Sequence, residues 1–271
     1  MFELKDEKIA IPVVLFAGLL WSFGPLVVRY MDQPGLVPWQ YIFARGLTIF
    51  IVLNLYLYFE EGKNFLKNYL KVGVSGLIGG CGLGVAMITF IYSITNTSAA
   101  VTLLCLAAMP FFTALLGFLF LKERISFNVW IAIFIATIGI IIIALGNTEK
   151  NSLIGLIFGM TSSIGFSIFS VTLRWRKETP KFTTVAIAGL FCVIVALTFI
   201  AINESTILST SYNGGMFSLH GVLVCLGLIL YSIGSKAIPA AELTLLSLTE
   251  VIGGIFWVWL PLFGINEVPS A

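Results

Sequence analysis

Charged side chains are scarce in this chain of 271 residues. Asp, Glu, Lys and Arg make up 10% of the sequence, whereas hydrophobic residues make up 59%. A soluble domain typically carries about 25% charged residues. Such a composition does not suit a fold in water, because a domain of this size still exposes about a quarter of the surface of its unfolded chain. The composition therefore predicts an integral membrane protein and excludes secreted modules, nucleic-acid binders and ordinary cytosolic enzymes.

Residue types that intramembrane enzymes need are also scarce. The sequence has one histidine, His220, and two aspartates, Asp6 and Asp32, which lie outside the interiors of the apolar runs. It contains no HExxH zinc motif, no GxSxG nucleophile turn and no GxxxxGK[ST] phosphate loop. We therefore expect no enzyme activity, no cofactor, no metal and no direct use of ATP. The four cysteines lie within apolar runs, and we expect them to be free.

Nine apolar runs are long enough to cross a bilayer, which takes about 20 residues of helix. No run shows the alternating pattern of barrel strands, so the sequence predicts an all-α polytopic helix bundle with nine visible spans. The longest polar stretch between runs is 203–218. The predicted spans are 9–31, 38–59, 72–94, 98–121, 127–145, 153–174, 182–202, 219–238 and 240–264.

Lysine and arginine are distributed unequally between the two sides of the predicted bundle. With the N-terminus in the cytoplasm, the outer side holds only Arg29 and Lys150, the inner side holds twelve basic residues, and Arg45 lies within a span. Positive charge accumulates on the cytoplasmic side of membrane proteins. We therefore expect a multi-pass protein of the cytoplasmic (inner) membrane with a cytoplasmic N-terminus. The inner residues are Lys5, Lys8, Lys63, Lys67, Lys71, Lys122, Arg124, Arg174, Arg176, Lys177, Lys181 and Lys236.

A short motif recurs in the two halves of the sequence. Residues 99–106 read AAVTLLCL and residues 240–248 read AAELTLLSL, with one extra residue in the second copy. The first and sixth spans also share glycines six residues apart, Gly18 with Gly24 and Gly159 with Gly165. These similarities predict a duplicated unit of five helices, 1–147 and 148–271. Because five is odd, the second copy enters the membrane inverted, as in many secondary transporters.

The residues that carry a family resemblance lie in spans 1 and 4. Residues 18–29 read GLLWSFGPLVVR, and residues 98–126 contain Pro110 and end in LKERIS. The chain resembles the EamA-type members of the drug/metabolite transporter superfamily. The resemblance implies ten helices in two inverted halves that carry small metabolites such as amino acids, nucleosides or cations. Two departures are Glu250, near where many members have a proline, and a tenth helix that is missing from this sequence.

Two charged residues lie inside predicted spans, where each costs about 2.5–3.5 kcal/mol at the membrane centre. Glu250 is about 15 Å deep and Arg45 about 10 Å deep at 1.5 Å per residue. Glu250 is interpreted as a counter-charge for a cationic group, as a proton-coupling carboxyl, or as a structural partner of Arg45. Arg45 alternatively reaches the membrane surface with its long side chain. If both line one cavity, the pair suits a zwitterion.

Three aromatic residues complete the candidate substrate-binding set. Trp21 lies at mid-membrane, where it either forms a cavity wall or packs between helices with its N–H bonded nearby. Tyr92 and Tyr231 occupy matched positions in the two repeats and are either gate residues or ordinary interfacial tyrosines. His220, at the predicted start of span 8, is expected at the membrane interface.

Two further features of spans 3 and 4 predict local geometry. Gly76, Gly80 and Gly84 form a stripe with the spacing of close helix contacts. Pro110 lies inside span 4, where it removes one backbone N–H bond and frees the carbonyl of Leu106, so it either kinks the helix as a hinge or serves packing alone.

The sequence therefore predicts a secondary active transporter that moves a small polar, zwitterionic or cationic metabolite by alternating access. Protons are the natural coupling ion if Glu250 titrates. The partners are a small-molecule substrate and the lipid bilayer, with no nucleic acid, and the protein is a monomer or a homodimer. The alternative is a non-transporting membrane scaffold, or an incomplete bundle that a partner subunit completes.

Overall fold

The computed structural model describes residues 6–124, 153–176 and 178–260, and six positions between 127 and 138. Most of the predicted fifth span, 127–145, lies outside the described residues. Within them, eight helical segments are long and apolar enough to cross a membrane. The protein is an all-α polytopic membrane protein, as its composition predicts.

Eleven α-helices of the described chain build these segments. A 3-10 turn, Gly62–Phe65, joins α2 to α3, and a π-helical turn, Gly117–Leu121, extends α6. The helices are α1 Glu7–Arg29, α2 Pro38–Glu61, α3 Leu66–Lys71, α4 Gly73–Asn96, α5 Ala99–Leu106, α6 Met109–Leu116, α7 Leu153–Trp175, α8 Lys181–Ile202, α9 Ser211–Gly234, α10 Ala240–Ser247 and α11 Thr249–Trp259.

Large apolar side chains cover the outside of the bundle. Ile51 and Leu55 of α2, Leu77 of α4 and Ile194 of α8 are all exposed although they lie inside helices. Contiguous apolar surface is rare on soluble monomers. These side chains therefore face the acyl chains of the bilayer.

The predicted glycine stripe of α4 is a close-contact face against α8. A methyl group on Gly80 would lie 3.0 Å from the carbonyl oxygen of Thr184, and one on Gly84 would lie 2.5 Å from the ring of Phe191. Without side chains at these positions the two helices approach closely, as the GxxxG spacing predicts. This prediction is confirmed.

Spans 4 and 9 each cross the bundle, and each has an interruption of its regular α-helix inside the predicted run. The first break falls at Ala107 and Ala108, and the second falls at Leu248. At each break the backbone forms a bond to the third preceding residue, 3.0 Å from Ala107 N to Leu104 O and 3.2 Å from Leu248 N to Leu245 O. Pro110 consequently lies in the first turn of α6, where its missing N–H costs no hydrogen bond.

Similar features occur near the two breaks. Helices α5 and α10, which precede the breaks, are each eight residues long. A methyl on Gly18 would lie 3.0 Å from Ser247 O, and one on Gly159 would lie 2.7 Å from Cys105 Cβ. Cys105 and Ser247 occupy the same position of the recurring TLLxL motif. The division into 1–147 and 148–271 and the inverted orientation stay predictions.

The eighth predicted span begins earlier than the polarity of the sequence suggests. Helix α9 begins at Ser211 rather than at residue 219, and Thr210 caps it by accepting the Asn213 N–H at 3.3 Å. The buried side chain of Asn213 bonds the backbone N and O of Asp32 at 2.9 Å each. The polar run 211–218 is therefore helical, and the loop before it is shorter than the predicted 203–218.

Candidate functional site

A cavity of about 70 Å³ lies inside the bundle, where α1, α2, α4, α7, α9 and the two broken spans meet. Most of its lining is aliphatic or aromatic. Arg45, His220 and Glu250 are the ionisable side chains among the lining residues described. The lining consists of Trp21, Arg45, Leu83, Ala86, Met87, Phe90, Leu106, Met109, Ser162, Phe166, His220, Val224, Leu228 and Glu250.

The break at Leu248 determines the environment of Glu250. It lies in the first turn of α11, so the carboxylate is close to the positive end of a helix dipole inside the membrane. Gly18 of α1 lets this turn approach, since a methyl there would lie 3.2 Å from Glu250 N. The side chain is half-buried, and no residue described in the structure forms a hydrogen bond with its carboxylate. The carboxylate is therefore available to a ligand.

Arg45 projects into the bundle from α2 and is 3% exposed. Its Nη2 donates to Met87 O at 3.3 Å, and the guanidinium carbon lies 5.9 Å from the centre of the Phe90 ring. Nη1 is buried and has no hydrogen-bond partner in the described part of the chain. This interior position differs from the alternative in which Arg45 reaches the membrane surface.

Arg45 and Glu250 line the same cavity without direct contact. No ion pair within 4.0 Å joins these two described residues. The arrangement differs from the structural pair that the sequence left open. It leaves a guanidinium and a carboxyl group lining a common space.

Trp21 contributes a wall of the cavity and is also packed between helices. Its Nε1 donates to Val224 O at 3.1 Å, and its ring centre lies 5.6 Å from that of Phe166 and 5.5 Å from that of Tyr231. A methyl on Gly227 would lie 2.1 Å from Nε1, so this glycine makes room for the indole. The two interpretations of Trp21 are therefore compatible.

The two candidate gate tyrosines lie outside the cavity lining. Tyr231 lies behind Trp21 and shares a 2.7 Å hydrogen bond with Ser170 Oγ. Tyr92 packs against Trp39 and Phe158, with ring centres 5.3 and 5.2 Å away. The structure does not bring them together with Glu250, and their gate role stays a prediction.

His220 is a cavity residue that the sequence analysis placed wrongly. It is buried inside α9, and its Nδ1 shares a hydrogen bond with the Tyr41 hydroxyl. A methyl on Gly24 would lie 2.7 Å from Nε2, so α1 approaches this ring closely. The error arises because α9 begins at Ser211 rather than at residue 219, which places His220 well inside the helix. Thr210, a residue type that commonly caps helices, is the sequence signal for this earlier start.

Serines of α7 stabilise the broken fourth span. Ser163 Oγ donates to Cys105 O at 2.6 Å, and Ser167 Oγ donates to Met109 O at 3.0 Å. Serine hydroxyls that bond a carbonyl of a neighbouring helix hold transmembrane helices together. The four-residue spacing of these serines is the signal in the sequence that would have identified this face.

The fold and the cavity together define a polytopic helical membrane protein with ionisable groups in its interior, an arrangement typical of substrate and ion pathways. Residues 8–145 match the EamA-like transporter family. The chain belongs to this family, and the resemblance seen in the sequence is confirmed.

Several relatives carry transporter names. An uncharacterized transporter of Helicobacter pylori is 28% identical over 166 residues, which are 59% of this chain and 52% of the relative. The match therefore spans about half the length of that relative. The uncharacterized transporter YojE of Bacillus subtilis is 22% identical over 84% of this chain and 77% of its own. The pseudopaline exporter CntI of Pseudomonas aeruginosa is 25% identical over 68% of this chain and 64% of its own.

A solved crystal structure has the same fold. It superimposes with a TM-score of 0.71 at 18% sequence identity, and the match covers 98% of this chain and 91% of the other. At this identity the similarity concerns the fold alone.

Proposed function

We propose that this protein is a secondary transporter that moves a small zwitterionic or cationic metabolite across the cytoplasmic membrane by alternating access. The observation that carries the proposal is the pair Arg45 and Glu250, which line one cavity without contacting each other. Charges inside a membrane protein are costly unless they have partners. A ligand with an ammonium and a carboxylate supplies a partner to each.

The chemistry of each group assigns its part in binding. The Glu250 carboxylate accepts the N–H donors of the ammonium, and the free Nη1 edge of Arg45 donates to the carboxylate. Trp21, Phe90 and Phe166 contact the remainder of the ligand and offer cation–π contacts to an onium group. A proton bound to Glu250 removes the charge that attracts the ammonium. Proton and substrate therefore compete, which is the basis of proton coupling.

The first experiment measures ligand-induced thermal stabilisation of the purified protein with amino acids, nucleosides and onium compounds. Loss of a charge-assisted hydrogen bond is worth about 1.5–3 kcal/mol, so Glu250→Gln is expected to weaken ammonium binding about tenfold to hundredfold. Arg45→Gln is expected to weaken zwitterions but to spare onium compounds without a carboxylate. The matched control is Glu242→Gln, since Glu242 lies in the same broken span but outside the cavity lining.

The second experiment measures flux in proteoliposomes. Both uptake and efflux are measured with an imposed pH gradient, since one relative is named an exporter. The expected result is a flux that Glu250→Gln abolishes and Glu242→Gln preserves. Equal flux in both variants, or stabilisation by anions alone, would contradict the proposal.

A further inference from the structure

A second cavity, of about 220 Å³, lies at the end of the bundle where α2 ends and α8 begins. It shares no lining residue with the central cavity. Three lysines line it, Lys71, Lys181 and Lys236, together with two glutamates, Glu61 and Glu178. Side chains from segments far apart in sequence thus place an excess of positive charge around one pocket.

The first turn of α8 lines this cavity and has no side-chain cap. Pro180 precedes the helix and makes no side-chain cap, and the first backbone bond at this end is Thr184 N to Pro180 O at 3.0 Å. The N–H groups of Lys181, Phe182 and Thr183 are therefore free of helical partners. Helix N-termini with free N–H groups and a positive dipole end bind phosphate groups.

Lys181 is 4% exposed. Its Nζ donates to Ser235 Oγ at 2.5 Å and to Ser232 O at 3.3 Å, and both acceptors are uncharged. In the part of the chain that the structure describes, no carboxylate lies within ion-pair distance of this ammonium. An ammonium has three donors, so Lys181 retains one donor beyond these two hydrogen bonds.

Thr183 gives an independent indication of a missing ligand. Its side chain lines the same cavity and is fully buried. Its Oγ1 has no hydrogen-bond partner among the described residues. A buried hydroxyl without a partner costs free energy that a bound acceptor would restore.

We propose that this second cavity binds a phosphate group. The backbone N–H groups of the first turn of α8, the Lys181 ammonium and the Thr183 hydroxyl all donate, and tetrahedral phosphate oxygens accept from all of them. The lining holds three lysines against two glutamates, and Asn68 Nδ2 donates to the Glu61 carboxylate at 2.8 Å while Glu178 is exposed. The phosphate belongs either to an anionic lipid headgroup or to a free phosphate compound.

Two measurements on the purified full chain distinguish the sources. Native mass spectrometry after mixing with equal amounts of phosphatidylglycerol and phosphatidylcholine counts retained lipids. Thermal shift with inorganic phosphate, against chloride at equal ionic strength, detects free phosphate. One retained phosphatidylglycerol indicates a headgroup site, and stabilisation by phosphate without retained lipid indicates a site for free phosphate.

The variants test whether these donors form the site. Lys181→Met is expected to weaken binding about tenfold or more, because it removes a charged donor. The matched control is Lys67→Met, which removes an exposed lysine outside this cavity and is expected to bind as the parent does. Thr183→Val keeps every charge and still reports if Lys181→Met fails to fold, and its control is the exposed Thr198→Val in the same helix. Absence of binding in the parent, or equal binding by each variant and its control, would overturn the proposal.

Discussion

The crossing of α2 and α8 permits a quantitative test of the packing that holds Arg45. A methyl on Gly46 would lie 2.7 Å from Cys192 Cβ and 2.9 Å from Gly189 O. A methyl on Gly189 would lie 2.8 Å from Gly46 O and 3.0 Å from Phe50 N. Most of these obstacles are backbone atoms, which cannot rotate away as the end of a side chain can. Either substitution to alanine must therefore separate the two helices.

The expected cost combines two opposing effects. Overpacking a close contact costs about 1–3 kcal/mol, and alanine regains about 0.5–1 kcal/mol of helix propensity relative to glycine. The middle of each range gives a net destabilisation by Gly46→Ala of about 1 kcal/mol. One separation of the helices relieves both clashes, so the double variant with Gly189→Ala should cost less than the two single changes added.

Thermal unfolding of the purified protein measures this effect. A change of 1 kcal/mol corresponds to about 2–4 °C for a chain of roughly this length. Gly214→Ala is the control, because nothing lies within 4 Å of a methyl at that position in α9. Its melting temperature should remain equal to that of the parent or rise. If Gly46→Ala is as stable as Gly214→Ala, the helices do not cross as described.

Three further predictions concern the site and its surroundings. Trp21→Phe removes the indole donor to Val224 O, so the melting temperature should fall by the equivalent of about 0.5–1.5 kcal/mol; an unchanged value would refute the hydrogen bond. Arg174 Nε donates to Glu123 Oε1 at 2.7 Å, and its Nη1 donates to two carbonyls. Arg174→Lys should lower the melting temperature, because an ammonium lacks the planar fork of donors that makes these bonds. In a cysteine-free background, an impermeant maleimide should label Asn64→Cys from the cytoplasm and Ser205→Cys from outside, and labelling from one side alone would contradict the predicted topology.

Hydropathy predicts which segments cross the membrane but not whether a crossing helix is continuous. The break in the fourth span falls on Ala107 and Ala108, and although alanine is the best helix former, Pro110 in the first turn of α6 is a local signal for a new helix start. The hydrogen bonds that stabilise it come from Ser163 and Ser167, more than fifty residues away in sequence. The residues of the fourth span alone therefore do not predict these contacts with α7.

The sequence predicts those site residues whose burial is energetically costly. It does not predict which side chains the fold brings to the cavity. Glu250 and Arg45 were identified because a charge inside a span is expensive wherever it points. Tyr92 and Tyr231 were identified by their matched places in a repeat, which do not fix their distance from a cavity. The polar residues around Asn213 suggested a loop, and His220 was therefore placed at the start of the helix. The buried hydrogen bonds of Asn213 with the backbone of Asp32 allow this polar segment to be helical, so His220 lies deeper in the bundle.

The two charges of the central cavity come from opposite ends of the chain. Arg45 lies in the first predicted repeat and Glu250 in the second, and glycines such as Gly18 and Gly46 set how closely the two parts approach. A zwitterion that binds both residues therefore binds best in one conformation. In that conformation the distance between Arg45 and Glu250 matches the distance between the carboxylate and the ammonium of the ligand. A ligand shifts a conformational equilibrium only by its difference in affinity between states. The two ends of the proposed substrate bind different parts of the protein. Its affinity therefore differs between conformations in which these parts are close together and conformations in which they are apart.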